Sequence, residues 1–433
     1  MKERKLISVL KKLIVSAVIL GCAAPCLLPG ASPKNSKGPA PGKLPAEKAK
    51  LISIVERNID IFEKRFFTRD KVLLDYAGLN GEVILPTPEE CALNKPNALA
   101  WVTPIENGAM FNGILLPGVL NCWKKAPSPK LADFARDLLK GLFSLQDKSP
   151  VPGCILRGVG SDGKCHYPGS SNDQVVPFLL GLWEFANSPL ATPEERKECR
   201  QRCYTVVKAL EKNKWVIPGA KPGFERGSLR SNGTSSNCHL LLAAIILDEM
   251  EGGNRVEKIL QDPKKRKSIA KGFPKVGERC GSWYACHNYY IMRMLVDRVK
   301  GEAEKKLLRD SIHLTALEAL PALKAWKNYK EGLKFDPDWR IMNKKWYPQK
   351  NCKEAASIPG QSKLYKDISP AYMNEHLTIM IPLSSAWMGL FTKDEKVRRE
   401  VIRHVLPMIQ AIPYEKLYCS THFYVINVIS ELL

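Results

Sequence analysis

Between Val151 and Gln174 the chain runs Val-Pro-Gly-Cys-Ile-Leu-Arg-Gly-Val-Gly-Ser-Asp-Gly-Lys-Cys-His-Tyr-Pro-Gly-Ser-Ser-Asn-Asp-Gln. Arg157, Asp162, His166 and Tyr167 bring a cation, a carboxylate, an imidazole and a phenol into one Gly- and Pro-rich loop. Ser170-Ser171-Asn172 is suited to capping a helix that opens at Asp173, so the loop delivers a carboxylate and the Gln174 amide to a helix N-terminus. An echo follows: Ile217-Pro218-Gly219, Arg226-Gly227 and Ser235-Ser236-Asn237 repeat Val151-Pro152-Gly153, Arg157-Gly158 and Ser170-Ser171-Asn172 in the same order. The two loops are therefore expected side by side.

Such residues suit carboxylate acid/base chemistry on a sugar. Glycoside hydrolysis needs one carboxyl to protonate the leaving oxygen and a second carboxylate on the opposite side. Asp173 is the expected acid and Glu375 the carboxylate facing it, with Glu106 the alternative. At Asp173 the helix dipole favours the ionised form, while desolvation and a nearby carboxylate favour the proton. Arg157, Arg226 and Arg230, with the histidines, would clamp a uronate or sulfate. A lyase would use the same place differently: Tyr284 or His287 takes a proton beside a carboxylate that Asn237 and His239 neutralise. A glycan-binding protein would need the aromatics and arginines but not Asp173.

The elements that must position these groups follow from periodicity. Apolar residues recur at spacings of three and four in residues 47–66, 130–145, 193–212, 255–271, 302–320 and 393–412, each with one charged face. Alternating with them, residues 107–123, 173–187, 235–251, 281–299, 369–391 and 417–433 are apolar nearly all round, as helices buried on most sides must be. No run of period-two alternation marks a strand. The predicted class is all-α: an (α/α)6 toroid of six helical hairpins, with the long connections 67–106, 146–172, 213–234 and 321–368 on one rim. An open helical solenoid competes, but its repeats should be more uniform in length. In a toroid the first turns of the inner helices converge. They carry Glu106 and Asn107; Asn172, Asp173 and Gln174; Asn237 and His239; Tyr284 and His287; Tyr372, Asn374, Glu375 and His376; and His422.

Here the residues reach a family. The series Arg157-Gly158, Asp162-Gly163, Tyr167 and Ser171-Asn172-Asp173-Gln174, flanked by helical hairpins, resembles the six-hairpin glycosidase superfamily, most nearly its unsaturated glucuronyl hydrolase and rhamnogalacturonyl hydrolase branches. The resemblance implies an (α/α)6 barrel with an acid/base aspartate at the start of an inner helix, a role that falls on Asp173 alone.

The N-terminus sets the compartment. A charged Met-Lys-Glu-Arg-Lys, an apolar run from Leu13 to Leu20 and Gly21-Cys22 read as a lipoprotein signal over residues 1–21, with Cys22 the lipidated residue; an ordinary signal cut near Ala23-Ala24 is the alternative. Residues 22–46 are too rich in Pro, Gly and Lys to bury a core and form a flexible tether, leaving 47–433 as one toroid domain. The protein is expected in the cell envelope, held to the membrane through its N-terminal lipid. Of the formal charge of +22, residues 1–21 hold five basic and one acidic residue, so +18 remains to attract an anionic carbohydrate. No basic run interleaved with regularly spaced aromatics points to nucleic acid. Of 13 cysteines, Cys154 with Cys165 and Cys280 with Cys286 lie close enough in sequence to bridge. Cys280, Cys286 and His287 lack the two-residue spacing of a structural zinc site, and neither metal nor cofactor is expected.

Overall fold

A computed structural model describes residues 45–230, 234–272, 281–342, 346–357 and 369–433. The expected signal, Cys22, the tether as far as residue 44 and Cys280 fall outside the described residues, and so does the side chain of Tyr284; Ala46, expected at the end of the tether, instead opens the first helix. The described chain is all-helical, and among the described residues there is no strand, only isolated bridges such as Tyr76 with Cys419.

The amphipathic helices form where periodicity and caps agree. Helix α1 spans Ala46–Arg65; the short α2, Pro88–Ala92, and the apolar α3, Gly108–Lys125, follow. In α4, Pro129–Asp147, the Ser128 hydroxyl accepts the Leu131 N–H, Pro129 opens the helix, and Leu131, Phe134, Leu138, Leu142 and Leu145 face inward. Each such side chain stabilises the fold by about 1.5–3 kcal/mol relative to exposure. Helix α6, Pro193–Lys212, starts on a reciprocal Thr192–Glu195 capping box. It follows α5, Asn172–Asn187.

The second half continues with α7 (Thr234–Glu251), α8 (Arg255–Gln261), α9 (Pro263–Ala270), α10 (Gly281–Val296) and α11 (Glu302–Ala319). A short α12 (Cys352–Ser357) precedes α13 (Pro370–Glu375), which passes through a π turn at His376–Met380 into α14 (Ile381–Gly389). The chain finishes with α15 (Glu395–Ala411) and α16 (Tyr424–Leu432).

Packing follows the division between apolar and one-faced helices. Helix α3 packs on α5, α5 on α7, α7 on α10, α10 on α14, α14 on α16, and α16 back on α3. Helices α4, α6, α8, α9, α11, α15 and α1 lie against these. The α3–α5 crossing is close because Gly113 meets Gly181: a Cβ on Gly113 would stand 2.2 Å from the Pro177 carbonyl oxygen. That crossing brings the start of α3, with Glu106 just before it, beside the start of α5, with Asp173 in its first turn.

Candidate carboxylate site

Three carboxylates gather around one arginine. Arg157, buried to 4 % exposure, donates to the Gly169 carbonyl at 3.2 Å, the Glu106 carbonyl at 3.0 Å and the Ser171 hydroxyl at 2.6 Å. Its guanidinium also lies 3.7 Å from the Asp173 carboxylate. Ser171 passes its own proton on to Asp173, and Gln174 Nε2 donates to the same carboxylate at 3.2 Å. The expected cap is therefore reassigned: Ser171 stands at the N-cap of α5, but its hydroxyl serves Arg157 and Asp173 instead of the helix amides.

The electrostatics push Asp173 away from the protonated state expected of an acid. Burial alone would raise its carboxyl, but Arg157, the Ser171 hydroxyl and Gln174 outweigh burial and hold it below its ordinary value. Asp173 is thus the ionised member, still 20 % exposed at its side chain. Glu106 goes the other way: burial raises it to about 7, the negative Asp173 adds to the rise, and the Val102 amide at 2.9 Å and Arg157 oppose it. Asp75 lies behind, pushed well above the ordinary range by burial and then by Glu106, while Asn107 donates to it through its backbone at 2.8 Å and its side chain at 2.6 Å. Of the three carboxyls, Asp75 and Glu106 are thus pushed toward the protonated form and Asp173 toward the ionised one.

Two histidines complete the group. Asn172 Nδ2 donates to His239 Nδ1 at 3.2 Å, which places the ring proton of His239 on Nε2. His239 and His287 stack with centroids 5.8 Å apart and planes 13° apart. Burial lowers His239 to about 4 and His287 to about 3, against the pull of the Asp173 charge, so both are neutral imidazoles at neutral pH. Both ring nitrogens of His287 are buried without a hydrogen-bond partner among the described residues, while the Asn288 side chain is a hydrogen-bonding neighbour of His239. Among the described residues no three His, Cys, Asp or Glu side chains form a metal-binding group.

The echo loop packs where the repeat predicts. Asn172 donates to the Ser228 carbonyl at 3.2 Å and Ala220 to that of Pro168 at 2.8 Å. Gly227 has φ +91°, and a Cβ there would stand 2.0 Å from Asn172 Oδ1, so this contact requires glycine. Its neighbour Arg226 lies over the Trp101 ring at 5.1 Å, next to Val102 and hence to Glu106.

Other expected site residues are used elsewhere. Glu375 is buried at 4 % exposure, and its carboxylate accepts the Tyr418 amide at 3.0 Å and the Cys419 amide at 2.7 Å, with no hydrogen bond or ion pair to Asp173. His376 bonds the Tyr372 carbonyl at 2.9 Å and packs on the Tyr372 ring. His422 bonds the Cys419 carbonyl at 2.7 Å and stacks on Phe62 in the core. Asn374 accepts the Lys330 amide at 3.0 Å and holds down that loop. Asp162 closes an exposed turn by accepting the Lys164 and Cys165 amides at 2.8 and 2.7 Å, and His166 bonds the Tyr167 carbonyl at 3.1 Å. The Tyr167 hydroxyl donates to the Lys95 carbonyl in a buried cluster. Arg157 and Gln174 stay in the group as buried positioning residues, each donating to neighbours within the protein. Arg230 donates to the Lys214 carbonyl. Asn237 is buried in the first turns of α7.

The sequence reasoning passed over Asp75 and Trp101. A lone acid inside the apolar run Val72-Leu73-Leu74-Asp75-Tyr76-Ala77 was the available signal for the first. No family model matches the chain, no curated protein matches it and no solved structure matches it, so nothing among them identifies the six-hairpin glycosidases.

Proposed function

We propose that this chain is an exported, lipid-anchored glycoside hydrolase acting on acidic oligosaccharides, its helices arranged as an (α/α)6 toroid. The toroid reading rests on the neighbour order in which α16 packs back on α3. Glu106 is the general acid: it holds a proton near neutral pH and gives it to the glycosidic oxygen. Asp173 is the ionised carboxylate that meets the other face of the sugar, and Arg157 keeps it ionised. The reading is supported by the opposite directions in which their surroundings push the two carboxyls at the neighbouring starts of α3 and α5, Glu106 up and Asp173 down, the division between acid and carboxylate that two-carboxylate hydrolysis uses. Neutral His287 offers ring nitrogens to sugar hydroxyls, and Arg226 on Trp101 offers a cation to an acidic substituent.

The test incubates the purified chain with acidic and neutral oligosaccharides and reads both new reducing ends and the absorbance of C4–C5 double bonds. New reducing ends without that absorbance are expected, and Asp173→Asn should form them ~100-fold more slowly or worse. The absorbance would make the protein a lyase. Binding without any product would make it a glycan-binding protein.

A further inference from the structure

Cys165 sits at the end of the Asp162 turn and is half-buried. Its thiol donates to the Pro86 carbonyl at 3.7 Å, just before α2, and that carbonyl also takes the Ser161 amide at 2.9 Å. Cys91, 3 % exposed in α2, belongs to the buried cluster of Leu74, Ala100, Ile105 and Tyr167 against which Cys165 packs. Within that shared cluster each thiol bears on the other's titration, Cys165 raising Cys91 and Cys91 lowering Cys165. Cys154, the partner that sequence proximity suggested for Cys165, belongs instead to the main core and lies near Ser149, Ser170 and Cys352.

We propose that Cys91 and Cys165 form a disulfide, a covalent modification site that ties the loop carrying Arg157 to the segment leading to Glu106. The oxidant is a low-molecular-weight disulfide. The Cys165 thiolate attacks one sulfur of glutathione disulfide and releases one glutathione. Cys91 then attacks the Cys165 sulfur of that mixed disulfide and releases the second. The two thiol protons leave with the two glutathiones, so the protein loses two hydrogens and two electrons and the oxidant gains them. Cys165 makes the first attack because it is the more exposed of the two. Burial pushes both thiols up, so the exchange is faster in mildly alkaline solution. The cross-link joins residues 74 positions apart and restricts the unfolded chain accordingly.

The full chain, freed of reductant, is incubated with glutathione disulfide, alkylated, digested and weighed. A Cys91–Cys165 peptide pair two hydrogens lighter than the two thiols is expected, with a melting temperature several degrees above that of the reduced protein. In Cys91→Ser, Cys165 should instead retain glutathione and the melting temperature should not rise. Alkylation of both cysteines in the folded wild-type chain, a persistent glutathione adduct on its Cys165, or a Cys154–Cys165 pair would each overturn the proposal. If Cys91→Ser does not fold, the wild-type peptide map decides alone.

Discussion

Glu106 and Glu375 are two glutamates that burial raises to the same point, about 7, in two regions that the sequence treats alike. Their surroundings differ. Both oxygens of Glu375 accept backbone amides of the Tyr418–Cys419 segment, with Arg65 nearby, so the carboxylate joins α13 to the entry of the last helix. Glu106 accepts one backbone amide, from Val102, with the Asn107 side chain a further neighbour; it remains half-buried and feels the charge of Asp173. A perturbed carboxyl marks a site of chemistry when its oxygens are uncommitted and reachable, and a structural clamp when neighbouring backbone has claimed them.

The sharpest way to break this contrast is Asp173→Asn, which should lower turnover ~100-fold or more, the usual worth of a positioned acid/base group, while the chain still folds. Circular dichroism beside the reducing-end assay checks both. Glu106→Gln should cost ~100-fold as well, since the amide has no proton to give. Wild-type activity should fall as pH rises through about 7, where Glu106 loses its proton, and the residual activity of Glu106→Gln should lack that limb.

At Glu375 the effect moves from turnover to stability. Glu375→Ala leaves buried amides without acceptors, so chemical denaturation should show a loss of about 1–3 kcal/mol, with turnover of the folded protein within about threefold of wild type. Because its folded-state value lies above the ordinary 4.5, the folded chain holds a proton that the unfolded chain gives up. Wild-type melting temperature should therefore fall as pH rises from 4.5 to about 7, and Glu375→Gln should flatten that fall. The smallest effect belongs to Asp162→Ala: its carboxylate serves only an exposed turn, so turnover and melting temperature should both stay at wild-type values.

Helix identity was legible because each helix is written locally. The stripe in α4 and the Thr192–Glu195 capping box fix their elements from a few neighbouring residues. The loop and its echo were legible too, since Arg157-Gly158 and Arg226-Gly227 carry matching local patterns, and Gly227 then packs on Asn172. The use of each side chain was not. Glu375, His376 and His422 look like Asp173 and His239 along the sequence, but their partners come from far along the chain: Tyr418 and Cys419 for Glu375, and Phe62 for His422. The protonation of Asp173 likewise depends on Arg157 and Ser171 converging through a folded loop, which no spacing rule anticipates.

The most direct test is the titration of the two carboxyls themselves, by carbon-13 nuclear magnetic resonance of the folded chain from about pH 4 to about pH 9. Glu106→Gln and Asp173→Asn identify the two signals by their disappearance. Glu106 should titrate near 7 and Asp173 below the ordinary aspartate range, with the Glu106 value falling in Asp173→Asn as the opposing negative charge is removed. A Glu106 that titrates as an ordinary glutamate, or an Asp173 that holds its proton at neutral pH, would contradict the account.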